Sequence, residues 1–204
     1  MFVTTRFAPE ALAFPYHAKV GETNVFSEQP IDGDALSRIL KGSDARLRSS
    51  EIYGEGFGRR LFLTQGGWRW RMLSLEASDG FAVSYPLGEA IVLNRTNLSD
   101  DSVTNGAVMA GHRSVTGVVT HERTHGLIRA KFGILADRRY PVWLREGYCD
   151  AVAQESSLSE RDAQALSAAG RTVPALSYYL GRKRVEDELR SASVSALFAR
   201  NQLF

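Results

Sequence analysis

The sequence is poor in cysteine and in histidine. Among 204 residues, Cys149 is the single cysteine, and there are four histidines. One cysteine excludes an intramolecular disulfide, a four-cysteine zinc cluster and an iron–sulfur site. Any metal chemistry in this chain therefore depends mainly on histidines and carboxylates.

The chain also lacks a large excess of either charge and any long hydrophobic run. The 25 basic and 23 acidic side chains leave a formal net charge of +2, which is too small to imply a nucleic-acid partner or an anionic membrane. No apolar run approaches the ~18–20 residues that span a bilayer, and residues 1–10 lack the basic-then-apolar pattern of a signal peptide. We expect a cytoplasmic protein; the alternative is the cell envelope, with an N-terminal anchor that precedes this sequence.

The composition is that of an ordinary globular protein, with 44% hydrophobic and 24% charged residues. A typical domain has about 150 residues, so this length predicts one domain spanning residues 1–204. Within it, residues 1–98 read as a mixed part and residues 99–204 as a helical part. That order of elements predicts an α+β fold.

The first half predicts one helix and a small antiparallel sheet. Apolar residues recur at helical spacing over 34–48, with Asp34 as the expected cap. Four strands are expected at 60–64, 68–75, 81–85 and 89–95, the second because Trp68, Trp70 and Met72 alternate with other side chains. Tight turns at Gly66-Gly67 and Asp79-Gly80 would join them.

The second half reads as helical throughout. One helix, or two joined pieces, is expected over 105–131, ending at Gly133. Further helices are expected from Pro141 to about 156, from a capping box at Ser159 to Gly170, from Pro174 toward 190, and near 194–204.

Residues 121–125 read His-Glu-Arg-Thr-His, a match to H-E-x-x-H. On a helix, His121 and His125 lie one turn apart on one face and can bind one metal ion. Glu122 lies about 100° round the helix, within reach of a metal-bound water. The alternative is a polar stripe on the surface of a helix. A third ligand decides between the two interpretations.

Glu146 is the predicted third ligand. It lies in an apolar helical segment with Trp143, Leu144 and Tyr148, where an unpaired carboxylate would be costly. The alternative is a carboxylate that faces solvent at a helix start. Asp150 lies one turn further on, so it can accept a hydrogen bond from the free ring N–H of a ligating histidine.

At these residues the chain resembles the gluzincin metallopeptidases, the thermolysin-like and peptidase-MA-like group, as a small bacterial member. The resemblance covers about residues 115–153 and includes Trp143-Leu144-Arg145-Glu146-Gly147, the context of the family's glutamate ligand. It implies a zincin-like fold, one Zn²⁺ per chain held by His121, His125 and Glu146, and hydrolysis of peptide bonds. Such enzymes place an antiparallel edge strand beside the active helix, and residues 90–94 are the expected strand.

In such a site Glu122 acts as general base toward a metal-activated water. The developing oxyanion needs a further donor, and Tyr178, Tyr179, Arg182 and Tyr148 all remain open as candidates. Cys149 is expected to be a small buried residue rather than a ligand.

The expected function is that of a zinc metallopeptidase acting on a peptide or protein substrate. The rival is a noncatalytic zinc-binding module that binds a peptide or protein partner. The presence of Glu122 favours catalysis, because a binding module would not need this carboxylate. We expect the site at the junction of the sheet and the helical half.

Overall fold

A computed structural model describes residues 8–75, 79–85 and 90–204, and it is mixed α+β, as predicted. A short 3₁₀ turn at Pro9–Leu12 precedes the first strand. Five strands form the main sheet: β1 (Tyr16–Val20), β2 (Thr23–Ser27), β3 (Arg60–Leu63), β4 (Ala82–Ser84) and β5 (Ala90–Leu93), in the order β1-β2-β3-β5-β4.

The sheet is mixed, so the prediction of an antiparallel sheet is wrong at its centre. Strand β3 pairs in parallel with both β2 and β5, while the outer pairs β1–β2 and β4–β5 are antiparallel. Parallel neighbours need crossover connections, which helices provide here. The hairpin β1–β2 was not predicted.

Strand β5 is buried on both faces. Ile91 and Leu93 point to one apolar cluster and Ala90 and Val92 to another, all at most 1% exposed. An uninterrupted apolar run is typical of a central parallel strand. The prediction that residues 90–94 form the edge strand is therefore wrong, and β4 is the edge strand beside β5.

Eight helices occur in the described ranges. They are α1 (Gly33–Arg48), α2 (Trp68–Ser74), α3 (Val115–Phe132), α4 (Ala136–Arg139), α5 (Val142–Ala153), α6 (Glu160–Ala168), α7 (Pro174–Glu188) and α8 (Val194–Arg200). Within these described ranges no helix combines the length and the apolar character needed to cross a membrane.

Helix α2 occupies the segment predicted as the second strand. Trp70 and Leu73, three residues apart, are buried against Phe62 and Val92 of the sheet. The seven-residue segment fits both periodicities, and the need for a crossover between parallel strands selects the helix. The Gly66-Gly67 turn accordingly leads into α2 and joins no hairpin.

Helix α3 begins ten residues later than predicted. A second, antiparallel sheet precedes it, with strands β6 (Arg95–Asn97), β7 (Ser102–Thr104) and β8 (His112–Ser114). Ser114 is the N-cap, and its side chain accepts a hydrogen bond from the backbone of Gly117. The end at Gly133 is as predicted, with a φ of 98°.

The other helix boundaries follow the expected signals closely. Ser159 caps α6, Gly170 follows its end with a φ of 61°, and Pro174 opens α7. Helix α1 is capped by Asp32, whose carboxylate accepts from the backbone of residues 34 and 35, so the prediction of Asp34 as the cap is wrong.

Helix α3 lies at the junction of two apolar clusters, because its two ends are buried by different partners. Val118 and Val119 pack against the sheet and α1, whereas Leu127 and Ile128 pack with α5 and α8. The H-E-x-x-H residues occupy the turns between these groups. These residues therefore lie where the sheet meets the helical half.

Helices α5 and α7 approach each other through two glycines. A Cβ added at Gly147 would lie 2.5 Å from the backbone carbonyl of Gly181, and one added at Gly181 would lie 2.7 Å from the carbonyl oxygen of Trp143. Backbone cannot rotate away as a side chain can, so both positions require glycine.

Gly147→Ala is therefore expected to lower the free energy of unfolding by about 1–3 kcal/mol, which is the usual cost of overpacking. Urea unfolding followed by circular dichroism measures it. Gly33→Ala is the matched control, because nothing lies within 4 Å of the added Cβ at this helix position. Equal stability of the two variants would contradict the close approach.

Candidate metal centre

Helix α3 presents His121 and His125 to one point. The two rings lie one helical turn apart with centroids 5.0 Å from each other, and both residues are buried, at 7% and 9% exposure. They do not form a polar stripe in solvent. His112, by contrast, is exposed in β8, and His17 is exposed in β1, where it packs on Phe26.

Helix α5 brings Glu146 to the same point. Its Oε2 atom lies 3.2 Å from Nε2 of His121 and 3.6 Å from Nε2 of His125. Burial alone would raise the pKa of Glu146, but the positive character of His125 and the hydrogen bonds from both rings hold this pKa well below its usual value. The structure thus brings the side chains of the three predicted ligands together at one point.

These separations suit ligands of a single ion. Two atoms that each lie about 2.0–2.1 Å from one tetrahedral ion are about 3.3 Å apart. The two measured distances to Glu146 Oε2, 3.2 and 3.6 Å, bracket that value.

Cys149 is a second candidate for the third ligand. It is fully buried, as predicted, and one ligand atom each from His121, His125 and Cys149 lie within 4.8 Å of one another. The buried trio is therefore close enough to bind a metal ion. Burial, with the nearby charge of Glu146, raises the pKa of the thiol well above its usual value. The shorter distances favour Glu146 as the ligand.

Asp150 supports His121 from behind. Its Oδ1 lies 2.8 Å from Nδ1 of His121, and Ser156 Oγ donates to its Oδ2 at 3.1 Å. Burial would raise the pKa of Asp150, but Arg113, at 2.9 Å, and His121 lower it below its usual value. A carboxylate can only accept, so the Nδ1 atom donates its proton to the hydrogen bond with Asp150, and Nε2 faces Glu146.

The carboxylates of Asp150 and Glu146 favour the positively charged form of the His121 imidazole. Burial alone would lower the pKa of this imidazole, but the hydrogen bonds to Asp150 and Glu146 raise it to about 10. A divalent cation bound between the rings and Glu146 would satisfy the same demand for positive charge.

Arg113 and Glu155 complete the support, and sequence reasoning missed both. Glu155 accepts from the backbone N of Ser114 at 2.7 Å and from the Ser114 hydroxyl, so it ties the start of α3 to the end of α5. A Cβ at Gly117 would lie 2.0 Å from its Oε2. Because residues 105–131 were predicted to be helical, no signal marked Arg113 or the N-cap as part of the site.

A cavity of about 720 Å³ lies beside the candidate metal ligands. His121, Glu122 and Glu146 are among the residues that line it. Glu122 is half-buried, and within the described part of the chain no hydrogen bond or ion pair engages its carboxylate. The apolar walls come from two sides: Phe81 and Ala82 from the sheet, and Leu158, Val173, Pro174 and Ala175 from the helical half.

The structure separates the four candidate oxyanion donors. Tyr178 lines the cavity, and burial, with the nearby charge of Glu146, raises the pKa of its hydroxyl. Tyr179 packs with the apolar residues of α6. Arg182 pairs with Glu186 at 2.6 Å, and the buried Tyr148 hydroxyl bonds Ser50 Oγ at 2.7 Å. Only the first of the four faces the cavity.

Comparison with known proteins adds no relative to this description. No protein-family model, no curated protein and no solved structure matches this chain.

Proposed function

We propose that this chain is a zinc metallopeptidase of the gluzincin type, with zinc held by His121, His125 and Glu146. The convergence of Oε2 of Glu146 on both Nε2 atoms, at 3.2 and 3.6 Å, carries this proposal. The H-E-x-x-H helix beside a mixed sheet with an antiparallel edge strand supports a zincin-like fold.

The donor set fits zinc. Two imidazoles and one carboxylate are the ligands of several hydrolytic zinc sites, which leave a fourth position open. Asp150, behind His121, supplies the usual partner of a ligating imidazole. Bound there, zinc would supply a Lewis acid that polarises a substrate carbonyl and activates water.

Glu122 and Tyr178 supply the remaining chemistry. Both line the cavity beside the ligands. The Glu122 carboxylate, which no hydrogen bond engages in the described ranges, takes a proton from the attacking water and passes it to the leaving amine. The Tyr178 hydroxyl is protonated at neutral pH, as an ordinary tyrosine is, and burial raises its pKa further. It donates a hydrogen bond to the oxygen on which negative charge develops.

Metal analysis and a peptide library test the proposal. We expect about one zinc per chain in the purified protein, hydrolysis of some peptides, and loss of hydrolysis with a chelator that zinc reverses. Zinc retention without hydrolysis of any peptide would favour the rival, a noncatalytic module that binds a peptide or protein in this cavity. Absence of zinc binding would overturn both.

Asp150→Asn is expected to weaken zinc binding by roughly 10–100-fold, because the amide cannot hold the His121 ring as the carboxylate does. Competition with a chromophoric chelator measures the affinity. Asp187→Asn is the matched control, since that carboxylate is exposed on α7 and pairs with Arg190 at 3.4 Å. An Asp150→Asn affinity equal to that of the control would contradict the supporting role.

A further inference from the structure

The loop at residues 105–111, here the bridge loop, joins β7 to β8 and borders the cavity over the metal centre. Asn105, Ala107, Met109 and Ala110 line the cavity. The loop is closed by its own contacts: the backbone N of Asn105 donates to the carbonyl of Gly111 at 3.2 Å, and the Asn105 side chain accepts from the backbone N of Ala107 at 3.0 Å.

The backbone of the bridge loop has specific requirements. Gly106 and Ala110 have φ angles of 83° and 55°, both in the left-handed region. A Cβ at Gly111 would lie 2.0 Å from the carbonyl oxygen of Ala107. The turn is therefore tight at its base, while Val108 at its tip is fully exposed.

The bridge loop touches both walls of the cavity. On the sheet side, the Asn105 amide donates to the backbone carbonyl of Asp79 at 2.9 Å. On the helical side, Ala110 packs against the apolar cluster that contains Leu158 and Leu176. A peptide substrate that lies between the two walls would therefore run into the bridge loop on one side of the metal ligands.

The size of the cavity also limits how much of a substrate it can enclose. Its volume of about 720 Å³ lies within the range of pockets that enclose a drug-sized ligand. A long extended peptide gains about 3.3–3.6 Å per residue and needs a groove that is open at both ends.

We propose that the bridge loop restricts this site to peptide bonds near one end of a peptide chain, by blocking the extension of the chain on one side of the scissile bond. This inference rests on the proposed peptidase function and names the substrate class. Met109, half-exposed in the cavity wall, contacts the substrate residue nearest the block.

Two variants open the block. Deletion of residues 106–110 leaves Asn105 and Gly111 as a two-residue turn between Thr104 and His112, which are paired in the hairpin; Asn-Gly is the preferred sequence for such a turn. Ala110→Asp keeps the loop length and places a charge against the apolar cluster, with aspartate suited to a left-handed φ. Val108→Asp is the matched control, because this residue is fully exposed.

Steady-state cleavage of three peptides tests the restriction in the zinc-loaded full chain. One is a cleaved peptide of about four residues from the library, and the others carry the same residues with an N-terminal or a C-terminal extension of similar length. We expect one extension to lower kcat/KM by at least about tenfold. The deletion and Ala110→Asp should each reduce that loss to about threefold or less, and Val108→Asp should leave it unchanged.

Cleavage of both extended peptides at the rate of the short one would overturn the restriction, as would an unchanged loss in Ala110→Asp. If the deletion does not fold, Ala110→Asp decides. If no peptide is cleaved, the peptidase function is wrong, and the block by the bridge loop is tested separately. That test measures by calorimetry how tightly zinc-loaded Glu122→Gln protein binds a synthetic short peptide and its two extended forms. Tighter binding of the short peptide than of one of the two extended peptides supports the block, whereas equal binding of all three or binding of none overturns it.

Discussion

Glu122→Gln is expected to lower kcat for peptide hydrolysis by roughly 10²–10⁴-fold while zinc remains bound. The amide has nearly the same shape as the carboxylate but cannot accept the proton of the attacking water. Glu122 borders the cavity beside His121 and Glu146, yet its carboxylate lies outside the 3.2 and 3.6 Å contacts that define the metal ligands. The loss should therefore fall on the chemical step.

Zinc content and kinetics together decide the role of Glu122. The variant should hold as much zinc as the wild-type chain and show a similar KM, because neither the ligands nor the cavity walls change. Glu22→Gln is the matched control: its carboxylate is exposed and pairs only loosely with Arg59, at 3.8 Å. Wild-type kcat in Glu122→Gln would contradict a general-base role, whereas loss of zinc would indicate that Glu122 acts as a ligand.

Glu146→Gln is expected to weaken zinc binding by at least about 3 kcal/mol, or more than 100-fold. The substitution removes the anionic ligand and leaves the two neutral imidazoles to hold the cation. Wild-type protein with zinc at 100 times its Kd gains about 2.7 kcal/mol of stability, which corresponds to about 5–10 °C in Tm for a chain of this size. The variant should lose most of this zinc-dependent shift.

The Cys149→Ser variant is needed to interpret a loss of the zinc-dependent Tm shift in Glu146→Gln. Cys149 is buried beside the same two histidines, so the thiol and the Glu146 carboxylate compete as explanations for the third ligand. With Glu146 as the ligand, Cys149→Ser keeps the zinc-dependent shift and Glu146→Gln loses it. The reverse outcome would assign the third position to the thiol and leave the carboxylate as a neighbour.

The local features of the sequence predicted several helix boundaries and the placement of two histidines on one helix face, because those features depend on neighbouring residues. Gly133, Ser159, Gly170 and Pro174 mark helix boundaries as expected. The spacing of four between His121 and His125 places both rings on one helix face whatever surrounds the helix. The apolar setting of Glu146 indicated correctly that its carboxylate is largely buried and partnered.

The predictions that failed depended on distant partners. The segment 68–75 carries apolar residues that suit a strand or a helix, and the parallel pairing of β3 with β5 required a helix there. The run at 90–93 appeared suited to an edge strand, but burial on both faces places it inside the sheet. Strand β8 replaced the expected start of the long helix because it pairs with β7.

The sequence by itself determined the α+β class, the two histidines on one helix face and a glutamate on a second helix, because periodicity and capping are local. Only the tertiary structure decided the parallel core of the sheet, the role of Arg113 and Glu155 in fixing the ligand helices, and the choice of Tyr178 over Tyr179 at the cavity. Each of these joins residues far apart in the chain, and their pairing depends on which surfaces packing brings together.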